Sequence, residues 1–126
     1  MEISTAKSKK LNLSSCSLDF GLASDELILF VKKSQRLKVI DLSYNNVNKR
    51  AANSISSMIM NNKVLMSLSL MYCDICNDSI ITICQAIGTT CIQTLNLQGN
   101  KISVNGFNRM RVLWSSHICL TQMISL

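Results

Sequence analysis

Apolar residues recur along this chain in two alternating rhythms. A tight cluster such as Leu37, Ile40, Leu42 and Val47 follows the pattern L-x-x-L-x-L-x-x-N/C-x-L, with Asn45 at the polar slot. A looser run follows, in which Ala51, Ala52, Ile55, Met58 and Ile59 are spaced by threes and fours. The tight cluster returns complete at Leu65, Leu68, Leu70, Cys73 and Ile75, and again at Ile92, Leu95, Leu97, Asn100 and Ile102. An N-terminal copy, Ser8, Leu11, Leu13, Cys16 and Leu18, lacks only its first apolar residue. The copies begin at 8, 37, 65 and 92, so the spacings are 29, 28 and 27 residues. Near-constant spacing is the mark of a repeat protein in which each unit packs on the next.

Within each cluster the two central apolar positions, Ile40 and Leu42 in the second copy, lie two residues apart. That is the period of a strand, so they face inward while Val39, Asp41 and Ser43 face solvent. The chain then has to turn, and its peptide groups need partners there. Asn45 and Asn100 supply hydrogen bonds from buried side chains, and Cys16 and Cys73 fill the same slot as compact thiols. The looser runs have helical period. Their apolar faces are Leu22, Leu27, Phe30 and Val31; then Ala51 to Ile59; then Ile80, Ile83, Ala86 and Ile87; then Phe107, Met110, Leu113 and Trp114. The extra residue of the first repeat is absorbed near Asp25, and Asp78 or Ser79 marks a helix start.

Strand, turn and helix units of 27 to 29 residues, with Cys and Asn alternating at the turn, resemble the ribonuclease-inhibitor-like class of leucine-rich repeats. That class includes ribonuclease inhibitor and the sensor regions of nucleotide-binding leucine-rich-repeat receptors. The resemblance is densest from Cys73 to Ser79 and from Cys91 to Ser103, and covers the chain from about Ser8 onward. It implies an α/β fold: a right-handed horseshoe segment, one parallel sheet on the concave side, helices on the convex side, and protein binding on the sheet. The expected division is one domain, 1–126, with repeats at 8–36, 37–64, 65–91 and 92–119 and a partial repeat at 120–126. Ribonuclease inhibition itself does not follow, because this chain is short and basic.

Charge sharpens the reading. The net charge is +6, and ten of the thirteen Lys and Arg residues lie at or before Lys63. Lys7, Lys9 and Lys10 form one group, Lys32, Lys33, Arg36 and Lys38 a second, and Lys49 with Arg50 a third. Such a field attracts an acidic protein surface, anionic lipid or nucleic acid, or simply solvates the chain. Nucleic acid is disfavoured, because its footprint is a basic stripe interleaved with aromatics and only two tyrosines are available to stack. The apolar runs are too short to span a bilayer. The N-terminus has no signal-like apolar segment, so the expected setting is cytoplasmic, with the six cysteines as core or near-core thiols.

Stacking the outward strand positions across repeats gives columns of neighbours. They read Lys9, Lys38, Met66, Gln93; Lys10, Val39, Ser67, Thr94; Asn12, Asp41, Ser69, Asn96; Ser14, Ser43, Met71, Gln98; and Ser15, Tyr44, Tyr72, Gly99. Both tyrosines fall in one column, and tyrosine is enriched where interfaces concentrate their binding energy. The candidate protein-binding residues are therefore Lys38, Val39, Asp41, Tyr44, Met66, Ser69, Met71, Tyr72, Asn96 and Gln98. The bland alternative is that the tyrosines only pack on each other and on the sheet. The pair Cys73 and Cys76 has a spacing used for zinc and redox chemistry, but His117 is the sole histidine and no second pair completes a ligand set. No nucleophile, base and orienting residue converge in the sequence, so no enzyme, cofactor or metal is expected. The reading is a non-enzymatic protein-interaction module, an adaptor or subunit. The alternatives are a sensor fragment of a larger signalling protein, or a binder of nucleic acid or acidic protein through its basic surface.

The last apolar stretch, Leu120 to Leu126, starts a fifth cluster whose register is open: either Leu120 and Met123, or Ile124 and Leu126, take the pattern positions. A fifth strand without its helix leaves an apolar edge, to be covered by a second copy or another subunit, or else marks a piece of a longer solenoid.

Overall fold

Three-residue strands bear the two inward positions that the tight clusters dictate, and ten- or eleven-residue helices carry the looser runs. The computed structural model describes residues 9–17 and 24–114. In chain order these hold β1 (Lys10–Asn12), α1 (Ser24–Lys33), β2 (Val39–Asp41), α2 (Lys49–Ile59), β3 (Ser67–Ser69), α3 (Asn77–Ile87), β4 (Thr94–Asn96) and α4 (Val104–Trp114). The strands form one parallel sheet in sequence order. Its register pairs Leu11 with Ile40, Ile40 with Leu68, and Leu68 with Leu95. The fold is an α/β solenoid segment with strands in one layer and helices in the other. Leu120 to Leu126, His117, Cys119, Leu22 and the side chain of Trp114 lie outside the described residues.

The core is a stack of equivalent aliphatic layers. Ile40, Leu42, Leu65, Leu68, Leu70, Ile75, Ile92 and Leu95 are fully buried, and Leu97 nearly so. Ala51, Ala52, Ile55, Met58 and Ile59 meet them from α2, and Ile80, Ile83, Ala86 and Ile87 from α3. Each buried Leu, Ile or Met side chain among these contributes about 1.5–3 kcal/mol over its exposed state. In α1 the buried residues are Leu27 and Val31, with Phe30 packed partly against them; in α4 Met110 is buried and Leu113 partly so. The Ser56 hydroxyl lies 2.8 Å from the Ala52 carbonyl and 3.1 Å from that of Thr82, joining α2 to α3.

The turn slots work as the Asn and Cys alternation requires. Asn45 Nδ2 donates to the carbonyls of Leu13 and Leu42, both at 2.9 Å. Asn100 Nδ2 does the same to Leu70 and Leu97, and its Oδ1 accepts from the backbone N–H groups of Cys73 and Ile75. Cys73 Sγ takes the corresponding place, 3.4 Å from the Leu42 carbonyl. Asn45, Cys73 and Asn100 thus tie their own turns to a strand end in the preceding repeat, while the exposed Cys16 thiol reaches only the Ser14 carbonyl of its own turn. Ahead of the strands, a second set of side chains holds the first pattern residue: Ser34 Oγ accepts from Leu37 N, Asn62 Oδ1 from Leu65 N, and Thr90 Oγ1 from Ile92 N.

Three expectations are corrected. Ser43 is only 2 % exposed: β2 ends at Asp41, and the turn lays the hydroxyl across toward the next repeat instead of out into solvent. There it lies 2.8 Å from Ser69 Oγ and accepts from Met71 N. The third helix starts at Asn77, with Cys76 as its extended N-cap, so Asp78 and Ser79 belong to its first turn. The cysteines divide: Cys73 and Cys84 are buried and Cys91 is half-buried, but Cys16 and Cys76 are exposed.

Candidate functional site

The register brings the outward columns together as the repeat spacing predicts. Lys10, Val39, Ser67 and Thr94 stand side by side, as do Asn12, Asp41, Ser69 and Asn96. Along the strand entrances, the carbonyls of Lys9, Lys38 and Met66 each accept two N–H groups from the next repeat: Lys38 and Val39, Met66 and Ser67, and Gln93 and Thr94. Those doubled bonds pin the Lys9, Lys38, Met66 and Gln93 column at one edge of the face.

At the opposite edge Tyr44 and Tyr72 stack, with ring centroids 5.3 Å apart and planes 10° from parallel. The rings remain 54 % and 48 % exposed. They therefore pack on each other without being absorbed into the core. Their backbones explain the placement. Ser15, Tyr44, Tyr72 and Gly99 all have positive φ, at 53°, 60°, 52° and 80°, a left-handed conformation that costs a bulky residue free energy. The turn geometry of every repeat demands it, and two repeats meet that demand with tyrosine. On the far side of Tyr72 stands Gly99, where a side chain would collide with the ring.

The central column is less free than its exposure as a strand face would suggest. Asp41 Oδ1 accepts from Ser43 N at 3.0 Å, Asn96 Oδ1 from Gln98 N at 3.1 Å, and Asn12 Oδ1 from both Ser14 N and Ser14 Oγ. Each side chain folds back on its own turn and shapes the exit from the strand. In the third repeat Ser69 cannot reach that far and instead meets Ser43 across the sheet.

Of the residues singled out from the sequence, Lys38, Tyr44, Tyr72 and Gln98 are exposed, while Val39, Asp41, Met66, Ser69, Met71 and Asn96 are half-buried. The exposed apolar surface on this face rests chiefly on the two rings. Sequence reasoning missed Gly99 as the seat of Tyr72; the signal was the only glycine in the tyrosine column. It also missed Ser43 as a bridge between repeats. Lys9 and Lys10 extend the Lys38 edge onto β1, and all three are exposed. Lys101 pairs with Asp74 at 2.8 Å and Arg109 with Asp78 at 3.3 Å, both away from the strands.

Other features lie off this face. A groove of about 320 Å³ on α1 is lined by Glu26, Leu29, Phe30, Lys33 and Ser34. The Cys76 thiol is held below the ordinary range of a cysteine, mainly by the Ser79 hydroxyl 3.5 Å away and then by the Ser79 backbone N–H. Burial pushes the Cys73 thiol up, against the backbone N–H groups of Asn45 and Tyr44 that favour its ionised form. Among the described residues no three His, Cys, Asp or Glu side chains gather as metal ligands, and no helix is long and apolar enough to cross a membrane.

Residues 89–106 match the family model described as Leucine Rich repeat. The match runs from the loop after α3, through β4, into the first turn of α4. No curated protein matches the chain.

Proposed function

We propose that this leucine-rich-repeat protein is a non-enzymatic interaction module that holds a protein partner on the open face of its four-stranded sheet. The observation that carries the reading is the stack of Tyr44 on Tyr72, two large rings fixed in place yet half exposed. A ring already immobilised by its neighbour loses little further freedom when a partner covers it, so contact area there is gained at low entropic cost. The doubled backbone bonds at the strand entrances support the same reading, because they make the face a rigid platform. Helices between all strands, with Asn and Cys at the turns, favour the ribonuclease-inhibitor-like class. The Cys73 thiol serves as a donor to the Leu42 carbonyl, which suits a reducing compartment such as the cytoplasm.

The test is the double variant Tyr44→Asn, Tyr72→Asn. Asparagine tolerates positive φ, so the turns survive while both rings are lost. Circular dichroism and thermal melts establish folding, and proteins recovered on immobilised wild type are compared with those recovered on the variant. A partner anchored on the rings is weakened by about 30-fold, the effect of losing roughly 2 kcal/mol at a hot spot. Undiminished recovery of every partner on the folded variant would refute the reading.

A further inference from the structure

We propose that the occupant of this face is an acidic protein segment bearing an aromatic residue, its carboxylates over Lys9, Lys10 and Lys38 and its ring on the open side of Tyr44. The inference rests on the reading of the strand face as a protein-binding surface and names the chemistry of what binds there.

The charge on the face is one-sided. The strand positions of the first two repeats present Lys9, Lys10 and Lys38, all exposed, and the equivalent positions of the next two present Met66, Ser67, Gln93 and Thr94. Lys9 and Lys38 are direct neighbours, since the Lys9 carbonyl accepts the Lys38 N–H at 2.7 Å. Among the described residues neither ammonium group forms an ion pair, and the two ion pairs present use Lys101 and Arg109 instead. The acid on these strands, Asp41, turns one carboxylate oxygen onto the Ser43 N–H. The like charges of Lys9 and Lys38 on adjacent repeats repel, and a partner's carboxylates remove that cost while steering the encounter.

The stack is one-sided too. Tyr72 has Tyr44 against one side and Gly99 against the other. Tyr44 has Tyr72 on one side, and on the other its column continues with Ser15, whose exposed hydroxymethyl group is too short to cover a ring. A partner's aromatic side chain placed there adds a third layer to an existing stack, in the offset parallel geometry that such rings favour. The open ring side and the three lysines belong to the same two repeats. From Lys38 to Tyr44 is six residues, at most about 20 Å when extended, so one short extended segment reaches both.

This arrangement separates charge from ring. A nucleic-acid strand alternates one phosphate with one base and calls for cations interleaved with stacking side chains. Here the cations stand at the strand entrances and the rings at the strand exits, which suits a run of carboxylates followed by an aromatic residue.

The experiment uses the isotope-labelled folded chain and four synthetic probes: hexaglutamate ending in tryptophan, hexaglutamate ending in serine, hexalysine ending in tryptophan, and a short oligothymidylate. The tryptophan-tipped acidic peptide is expected to move the amide signals of Lys9 to Ser15 and Lys38 to Tyr44. It should bind roughly fivefold more tightly than its serine counterpart, the worth of one stacked ring. The triple variant Lys9→Gln, Lys10→Gln, Lys38→Gln should lower its affinity about tenfold, against less than about twofold for Lys32→Gln, Lys33→Gln, Arg36→Gln, which removes equal charge elsewhere. The proposal is overturned by equal loss in both triple variants, by indifference to the tryptophan, by tighter binding of hexalysine, or by tighter binding of oligothymidylate at the same amides. A natural partner lost on the tyrosine double variant but kept on the face lysine variant sinks this proposal and leaves the function standing. Undiminished recovery of every natural partner on the tyrosine double variant sinks the function itself.

Discussion

Tyr72 occupies the space that a side chain on Gly99 would need: a Cβ there would lie 2.7 Å from Tyr72 Cγ and closer still to Cδ1 and Cε1. Gly99→Ala must therefore displace the ring as well as accept a φ of 80°. The expected loss is about 2 kcal/mol, read from urea unfolding, with a change in near-ultraviolet circular dichroism as the tyrosine stack shifts. Retention of both wild-type stability and the tyrosine signal would show that Tyr72 does not rest on this glycine.

The asparagine slots should outrank the cysteine slot. Asn100→Ala strips partners from the N–H groups of Cys73 and Ile75 and from the carbonyls of Leu70 and Leu97. Leaving such groups unsatisfied costs about 3 kcal/mol in all, partly relieved by water because the slot is half-buried. Cys73→Ala loses a weak sulfur donor and a small volume, about 1 kcal/mol. Chemical denaturation of the two variants gives the order directly.

Exposed ion pairs should matter far less than the aliphatic stack. Leu68→Ala, at the centre of β3 and fully buried, is expected to cost about 3 kcal/mol. Lys101→Gln, which breaks the pair with Asp74 in open solvent, is expected to leave the melting temperature essentially unchanged. A large shift for Lys101→Gln would show that this exposed pair does contribute to the fold.

Two thiols should respond to pH in opposite senses. Burial raises the Cys73 value above its ordinary 9.0, so the folded chain keeps a proton that the unfolded chain begins to release. Its contribution to stability is complete below 9.0 and is lost as pH rises through the raised folded value. Wild type should accordingly lose stability above pH 9.0 more steeply than Cys73→Ala.

Cys76, exposed and held low by Ser79, should be alkylated by iodoacetamide well before Cys73 and Cys84. Ser79→Ala should slow that reaction at neutral pH and leave the rates at the two buried thiols as they were. Peptide mass mapping against time measures each site.

Much of this architecture was legible before any coordinate. Pairing of Ile40, Leu68 and Leu95 follows from near-constant spacing, because one unit repeated can only stack in step. The columns follow from the same fact, including the one that joins Tyr44 to Tyr72. What the pattern did not carry was backbone rotation after the strands. Two-residue alternation assigns Ser43 to solvent, yet the strand has already ended and the turn carries the hydroxyl across to Ser69 and Met71 of the next repeat. Positive φ at Tyr44 and Tyr72 breaks the preference of a large side chain, and only Gly99 in the same column hints at it. Asp41 and Asn96 looked like free contact residues because nothing in their spacing reveals a side chain bent back onto its own turn.

Among the described residues strand lies beside strand, and helix beside helix, only in adjacent repeats, from β1 against β2 to α3 against α4. During folding, then, no encounter among these elements requires β1 and α4 to find each other. A pair such as β2 and β3 with α2 and α3 can serve as the seed, and growth in either direction closes a loop of the same modest length each time. The same short reach sets how the molecule comes apart: the outer units should exchange their amide hydrogens first, while the middle pair, flanked on both sides, holds longest.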